Sequence, residues 1–297
     1  MICPICNTPN PDGAVFCQNC NTLLPTPEMI KRHKTAAILH AIAIAILIPL
    51  LYYFAMSVTS TLWAIRYLNS KPAGTVTTEE FSAAMNHASG YLNIIFSCVC
   101  LLIASIYFTS KHRSIISEMN IRRVPAEKIA SAFLCGLTLQ IPIGFVISMI
   151  PFPEGIVEGH NELMNACTSP MWIQFIYGVI LAPVIEELFF RGIAHDRLAK
   201  TMPVPVAAAL SSLGFALIHV EPLAVIVAFV CGYVFALLYS RFGSVLVTIP
   251  FHMGFNLLSY ALMYITDPTM LAVAGIASVV IFIGSTYVLL HKRKTDE

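Results

Sequence analysis

The chain has 297 residues, 57% of them hydrophobic and only 11% charged, with 17 Lys and Arg against 16 Asp and Glu and a mean hydropathy of +0.77. That is more apolar surface than one water-soluble core can hide, which excludes an ordinary soluble enzyme and makes lipid the main solvent. A net charge of +1, with the basic residues spread over short segments, excludes a protein built to bind nucleic acid.

Residues 1–24 read as a separate module, with Cys3-Pro-Ile-Cys6 and Cys17-Gln-Asn-Cys20 separated by ten residues. Two CxxC turns brought together supply the four thiolates that Zn²⁺ favours in closed structural sites. So small a segment has almost no apolar core, so metal binding would supply most of its folding free energy. Cys3, Cys6, Cys17 and Cys20 are therefore expected to hold Zn²⁺; the segment resembles the short zinc ribbons at the head of many prokaryotic membrane proteins, which implies an adaptor for a protein partner. Residues 25–35, with Pro25, Pro27 and the run Lys31-Arg32-His33-Lys34, read as a basic linker ending at the membrane surface. No internal repeat is expected.

Apolar blocks at 36–56, 91–110, 129–150, 171–190, 204–220, 223–240, 244–265 and 270–290 have about the length an α-helix needs to cross roughly 30 Å of hydrocarbon. The predicted fold is all-α, a polytopic membrane bundle of about eight transmembrane helices over 36–290 behind the zinc ribbon, with a tail at 291–297. The first block follows the cysteine-rich head and has no small-residue cleavage site after it, so it reads as a retained span, not a signal peptide.

The positive-inside rule sets the orientation. With the N-terminus inside, the inner segments carry Lys31, Arg32, Lys34, Lys111, Arg113, Arg122, Arg123, Lys128, Arg191, Arg197, Lys200, Arg241, Lys292, Arg293 and Lys294. Only Arg66 and Lys71 fall outside, and the outward loop 151–170 has Glu154, Glu158 and Glu162 with no Lys or Arg. Both termini are expected in the cytoplasm.

Ionisable residues inside a span cost about 2.5–3.5 kcal/mol each on insertion scales, so a concentration of them needs a reason. The first three spans hold only His40, whereas the later ones carry Glu186-Glu187-Leu-Phe-Phe-Arg191, Phe215-Ala-Leu-Ile-His219 and His252-Met-Gly-Phe-Asn256. Glu187 and Arg191, four apart, share a helix face as an ion pair, while Glu186 points roughly 100° away. His252 and Asn256, also four apart, face one cavity. If the fourth span runs to about residue 200, Glu186 and His219 lie at similar depth on antiparallel neighbours. A carboxylate and an imidazole on one water suit general-base activation, and a second His with an Asn suits an oxyanion. The same Glu and His residues could instead ligate a catalytic Zn²⁺ with an open position; the sequence leaves both mechanisms open.

These three ordered motifs resemble the CAAX-processing and bacteriocin-processing (CPBP, or Abi) family of intramembrane proteases, over a core of about 171–261. The resemblance implies an intramembrane endopeptidase, of the CAAX prenyl protease kind, acting on a membrane-associated peptide, either a prenylated CAAX-like end or a bacteriocin or leader peptide. It implies Glu186 and His219 as the water-activating pair, His252 and Asn256 as the oxyanion hole, and Glu187 and Arg191 as supports.

Taken singly, an intramembrane His or Asn is more often a helix-contact residue than a catalyst. His40 takes that reading, Phe189 and Phe190 read as packing, and His160 and His195 as solvated. A noncatalytic scaffold or immunity protein that binds peptides is the alternative function. A proton-coupled transporter is a weaker one, because paired half-length segments are missing.

Overall fold

The computed structural model describes residues 2–11, 14–22, 24, 27–262 and 267–291. Gly13, Pro25 and the basic tail Lys292-Arg293-Lys294 lie outside the described residues. Apart from one isolated antiparallel bridge between Ile2 and Pro9, the described elements are helical.

The long helices are α1 (Pro27–Asn69), α2 (Thr78–Ser110), α3 (Ala126–Ser148) and α4 (Glu154–Ala166), then α5 (Met171–Ala199), α6 (Val204–Leu217), α7 (Pro222–Phe242), α8 (Val245–Leu262) and α9 (Pro268–Leu290). Seven of these are long and apolar enough to cross a membrane. The fifth predicted block differs: α6 has 14 helical residues, roughly 21 Å, and stops short of a full crossing because the chain turns at His219 and Val220. The basic run at 31–34 is no extended linker. It lies on the first turns of α1, which has 43 residues, about twice the roughly 20 that a crossing needs; Pro27 suits a helix start, and no Gly or Pro follows before Pro49.

Helix ends follow local chemistry. Thr77 caps α2 in a capping box with Glu80 (Glu80 N to Thr77 Oγ1 3.1 Å, Thr77 N to Glu80 Oε2 3.0 Å). Glu221 caps α7 by accepting from the amides of Leu223 (2.9 Å) and Ala224 (2.7 Å). Gly243, at φ +63°, ends α7 in the left-handed conformation that spares a Cβ clash.

Two apolar clusters fill the bundle. One gathers Ile48, Met119, Phe190, Phe215 and Tyr239; the other gathers Ala132, Phe235, Val247, Phe251 and Leu289. Between α3 and α8 the backbones touch. A Cβ on Gly136 would strike the Phe251 carbonyl, and one on Gly254 would strike the Phe133 carbonyl. Such small-residue crossings replace the hydrophobic drive that lipid removes between helices. Gly254 lies inside the His252–Asn256 motif, so the crossing fixes the depth of both side chains.

Substituting Gly254 or Gly136 by Leu is expected to push α3 off α8 and cost about 1–3 kcal/mol or more, the usual range for overpacking. Thermal unfolding in detergent reads this directly: each variant should melt several degrees lower than Gly144→Leu, because nothing lies within 4 Å of a Cβ at Gly144.

Candidate active site and metal centre

The fourth predicted span carries the acidic motif on an irregular helix. Within α5 the segments Ile176–Leu181 and Glu187–His195 are π-helical, and the α-turn Ala182–Glu186 lies between them. Pro183 has no N–H to donate five residues back, which leaves the Gly178 carbonyl free in the π register; Asn256 Nδ2 donates to it at 2.8 Å. A backbone irregularity on one helix is thereby satisfied by a side chain from another.

Glu187 and Arg191 form a buried ion pair at 2.9 Å, with side-chain exposures of 0% and 1%. The guanidinium is held on every side. Its Cζ lies 4.3 Å from the Phe215 ring centroid and 5.1 Å from that of Phe235, and its Nη2 donates to the Gly232 carbonyl at 3.2 Å. Gly232 permits that approach, since a Cβ there would sit 3.1 Å from Nη2.

His252 bridges the two carboxylates. Its Nδ1 lies 3.0 Å from Glu187 Oε1 and its Nε2 lies 3.8 Å from Glu186 Oε2. The Arg191-paired carboxylate can only accept, so Nδ1 carries the proton and the ring is fixed with Nε2 toward Glu186. Glu187 Oε1 takes both partners, while Oε2 has none among the described residues. His219 Nδ1 pairs with the Phe215 carbonyl at 3.1 Å, which leaves its Nε2 an acceptor. The Phe215 ring lies edge-on between the two imidazoles, 4.9 Å from His219 and 5.9 Å from His252.

His219, His252 and Asn256 open on one cavity of about 490 Å³. Gln140, Ile143, Gly144 and Ile147 of α3 line its other wall, and His160 of α4 lines its rim. Glu186 lies behind His252, buried, with the hydroxyls of Tyr52 and Tyr177 (3.4 Å apart) within electrostatic reach.

Two histidines expected to be solvated are engaged instead. His195 is fully buried, its Nε2 2.7 Å from Ser240 Oγ and its Nδ1 3.2 Å from Ser211 Oγ, so it ties the end of the second π segment to α6 and α7. His160 Nδ1 lies 2.9 Å from Glu221 Oε2. Burial raises the Glu221 pKa, but the amides of Leu223 and Ala224 and the His160 ring outweigh it and hold the carboxyl below its usual range. Both contacts join residues 45 or more apart in sequence, so no helical spacing could announce them. Gln140 was passed over as well: it is a polar residue in an apolar wall, and its Oε1 is buried with no hydrogen-bond partner among the described residues.

The four-cysteine head closes on itself. Cys3 and Cys20 Sγ are 3.6 Å apart, as are Cys6 and Cys17 Sγ, and all four sulfurs lie within 4.8 Å of one another. A disulfide needs about 2.05 Å, whereas thiolates on a tetrahedral ion with bonds of about 2.3 Å sit roughly 3.8 Å apart, so the set fits a metal. The head also contains a repeat that the sequence reading did not expect: Cys3-Pro-Ile-Cys6-Asn7-Thr8 and Cys17-Gln-Asn-Cys20-Asn21-Thr22 fold alike. In each, the Asn takes φ +54°, its N–H bonds back to the first Cys carbonyl (3.0 and 2.9 Å), and the Thr hydroxyl lies 3.2 Å from the second Cys sulfur. Thr8 holds the Cys6 thiol down to about 6 and the Cys20 amide lowers that of Cys17, whereas, against the Cys6 amide, burial and the neighbouring Cys20 and Cys6 thiols push Cys3 up to about 11. Among the described residues this is the cluster with ligand spacing; Glu186, His219 and His252 do not form one.

Two outcomes follow from these geometries. Glu187→Ala should lower stability by about 3–5 kcal/mol by leaving Arg191 buried and unpaired, whereas Glu187→Ala combined with Arg191→Met should recover part of it, as melting curves in detergent would show. Elemental analysis should find about one metal ion per chain, lost in Cys3→Ser or Cys17→Ser and retained in Glu186→Ala.

No curated protein matches the chain, and no solved structure does. A family model does match: Type II CAAX prenyl endopeptidase Rce1-like, over residues 168–258, which hold all three motifs. Over residues 168–258 the chain is therefore similar to the Rce1-like CAAX prenyl endopeptidases, and this segment is set in a membrane helical bundle behind a four-cysteine head able to bind a metal.

Proposed function

We propose that the protein is an intramembrane endopeptidase that hydrolyses a peptide bond of a membrane-associated polypeptide with a water activated by Glu186 and His219. The observation that carries the reading is the convergence of His219, His252 and Asn256 on one cavity inside the bundle, with Glu186 buried behind His252 and 3.8 Å from its Nε2. Glu187 and Arg191 are the supports. The buried ion pair fixes His252 through Nδ1, and Arg191 anchors the wall of α7 through the Gly232 carbonyl.

Water held between the Glu186 carboxylate and His219 Nε2 loses a proton to Glu186 as it attacks the peptide carbonyl. Flanked by Glu187 at 3.0 Å and Glu186 at 3.8 Å, His252 in its doubly protonated form donates from Nε2 to the oxyanion. One Asn256 amide hydrogen is committed to Gly178, and the second is left for the same oxyanion. Glu186 then returns its proton to the leaving amine. The spacing of Glu186, His219 and His252 favours this route over a metal-bound water, and Zn²⁺ is assigned to the cysteine head, where the chain could recruit a protein partner. The preferred substrates are a prenylated CAAX-like end or a leader-type peptide. The domain limits follow the same reading: ribbon 1–24, membrane domain 36–290 with its protease core near 171–261, and both termini cytoplasmic.

Purified protein should cleave an internally quenched, prenylated peptide ending in CAAX. Glu186→Ala should reduce kcat by about 10²–10⁴-fold with an unchanged melting temperature, and Asn256→Ala by about 10²–10³-fold. A Glu186→Ala protein that cleaves at the wild-type rate overturns the assignment.

A further inference from the structure

The two ends of the bundle differ in charge and in what they hold. At one end, Lys128 Nζ donates to the carbonyls of Val288 (2.7 Å) and His291 (2.6 Å), Arg241 Nη2 donates to that of Leu290 (2.7 Å), and Arg197 pairs with Glu118 at 2.7 Å. The helix directions bring Lys31, Arg32, Lys34, Lys111, Arg113, Arg122, Arg123 and Lys200 to this end too. At the other end lie α4, the turn at His219–Glu221 and the start of α5, tied by Tyr260 to the Met171 carbonyl (3.0 Å) and by Ser169 to the His87 carbonyl (2.7 Å). That end has Arg66 and Lys71 against Glu79, Glu80, Glu154, Glu158, Glu162, Glu221 and Asp267. Arg191 belongs to neither end, because it is buried at the site. Lys and Arg in short loops mark the cytoplasmic face of a membrane protein, so the first end is cytoplasmic.

The cavity opens at the opposite end. Besides His252 and Phe235, deep in the bundle, its lining includes Ile147, His160, Leu223 and Tyr260, which lie on the acidic-end turns of α3, α4, α7 and α8. The wall between α3 and α7 is apolar, with Ile143 and Gly144 facing Val227. The His160–Glu221 contact holds α4 across one side of the rim.

We propose that the cavity is fed from the extracytoplasmic side, so the substrate is an exported or outward-facing membrane-anchored polypeptide that reaches the site beneath α4, not a cytoplasmic protein. This rests on the endopeptidase reading for its chemistry and on the charge asymmetry for its direction. Of the two substrate classes proposed above, this favours the leader-type peptide, since a cytoplasmic CAAX-ending protein would meet the basic end, where side chains of α3 and α7 hydrogen-bond the end of α9.

The test uses full-length protein in right-side-out and inside-out membrane vesicles. Glu158→Cys on α4 and Lys200→Cys at the basic end are treated with a membrane-impermeant maleimide and read site by site by mass spectrometry. The vesicles are also given a membrane-impermeant mixture of internally quenched decapeptides, with Glu186→Ala as background. The proposal expects Cys at 158 to react in right-side-out vesicles and Cys at 200 only in inside-out ones. It expects hydrolysis at least tenfold faster in right-side-out vesicles, the difference vanishing on permeabilisation. Reversed labelling overturns the placement, and expected labelling with hydrolysis confined to inside-out vesicles overturns the access route. No hydrolysis even in detergent, of these decapeptides or of the prenylated peptide, overturns the endopeptidase reading and the substrate assignment with it, while the labelling still reports which way the cavity faces.

Discussion

A guanidinium held in a membrane interior is the constraint around which the other parts are arranged. Arg191 is 1% exposed between apolar clusters, so its charge must be met by Glu187 and its remaining donors and faces by the Gly232 carbonyl and the rings of Phe215 and Phe235. These partners come from three helices: Glu187 from α5 itself, Phe215 from α6, and Gly232 and Phe235 from α7. Phe215 is in the first apolar cluster and Phe235 in the second, so the cation lies where the two meet and fixes α5 against both α6 and α7. Through Glu187 the same pair orients His252. A single buried charge thereby sets the positions of three helices and one imidazole.

The π segments of α5 show how far local irregularity can be used. In a regular α-helix through residues 171–199, Pro183, which has no N–H, would orphan the Val179 carbonyl instead of that of Gly178. With π turns on both sides of the Pro183 turn, the Gly178 carbonyl is left over, and Asn256 supplies its missing donor. The result is an amide clamped at one hydrogen and available at the other. Val220, a β-branched residue at φ +60°, is a second strained point, placed between His219 and the capping carboxylate Glu221. Both irregularities border the same cavity.

How much of this was readable depended on the range of each interaction. The bundle, the cysteine head and the three motifs were legible because apolar block length, CxxC pairs and four-residue spacing are local patterns. The Glu187–Arg191 pair could be read from α-helical spacing even though the segment is π-helical, since residues four apart remain neighbours in either winding. What escaped was long-range or backbone-determined. His160 meets Glu221, and His195 meets Ser240 and Ser211, across separations that carry no period. The shortness of α6 depends on a left-handed turn at Val220, a residue type that gives no warning of one. The repeated Cys-Asn-Thr ending of the two knuckles was in plain sight, but its meaning came only with the +54° φ of each Asn and the matching Thr contact to sulfur.

The division between the two ends of the bundle gives the arrangement its logic. At the basic end, side chains cap the last carbonyls of α9 and join α3, α7 and the loop before α3 into one hydrogen-bonded layer, with Ser244 Oγ donating to the Arg122 carbonyl and Asn120 Nδ2 to that of Gly192. A hydrolytic site in lipid needs a floor that stays fixed and a mouth that admits a polypeptide and water. The layered end, the glycine crossing of α3 with α8 and the Arg191 cluster supply the floor. The mouth is left to an amphipathic helix held by one imidazole–carboxylate contact, a helix-capping turn and a wall containing Gly144, beside which no side chain is packed. In the proposed peptidase, rigidity is concentrated where the candidate catalytic groups are aimed, and the weaker contacts lie along the proposed route of the substrate.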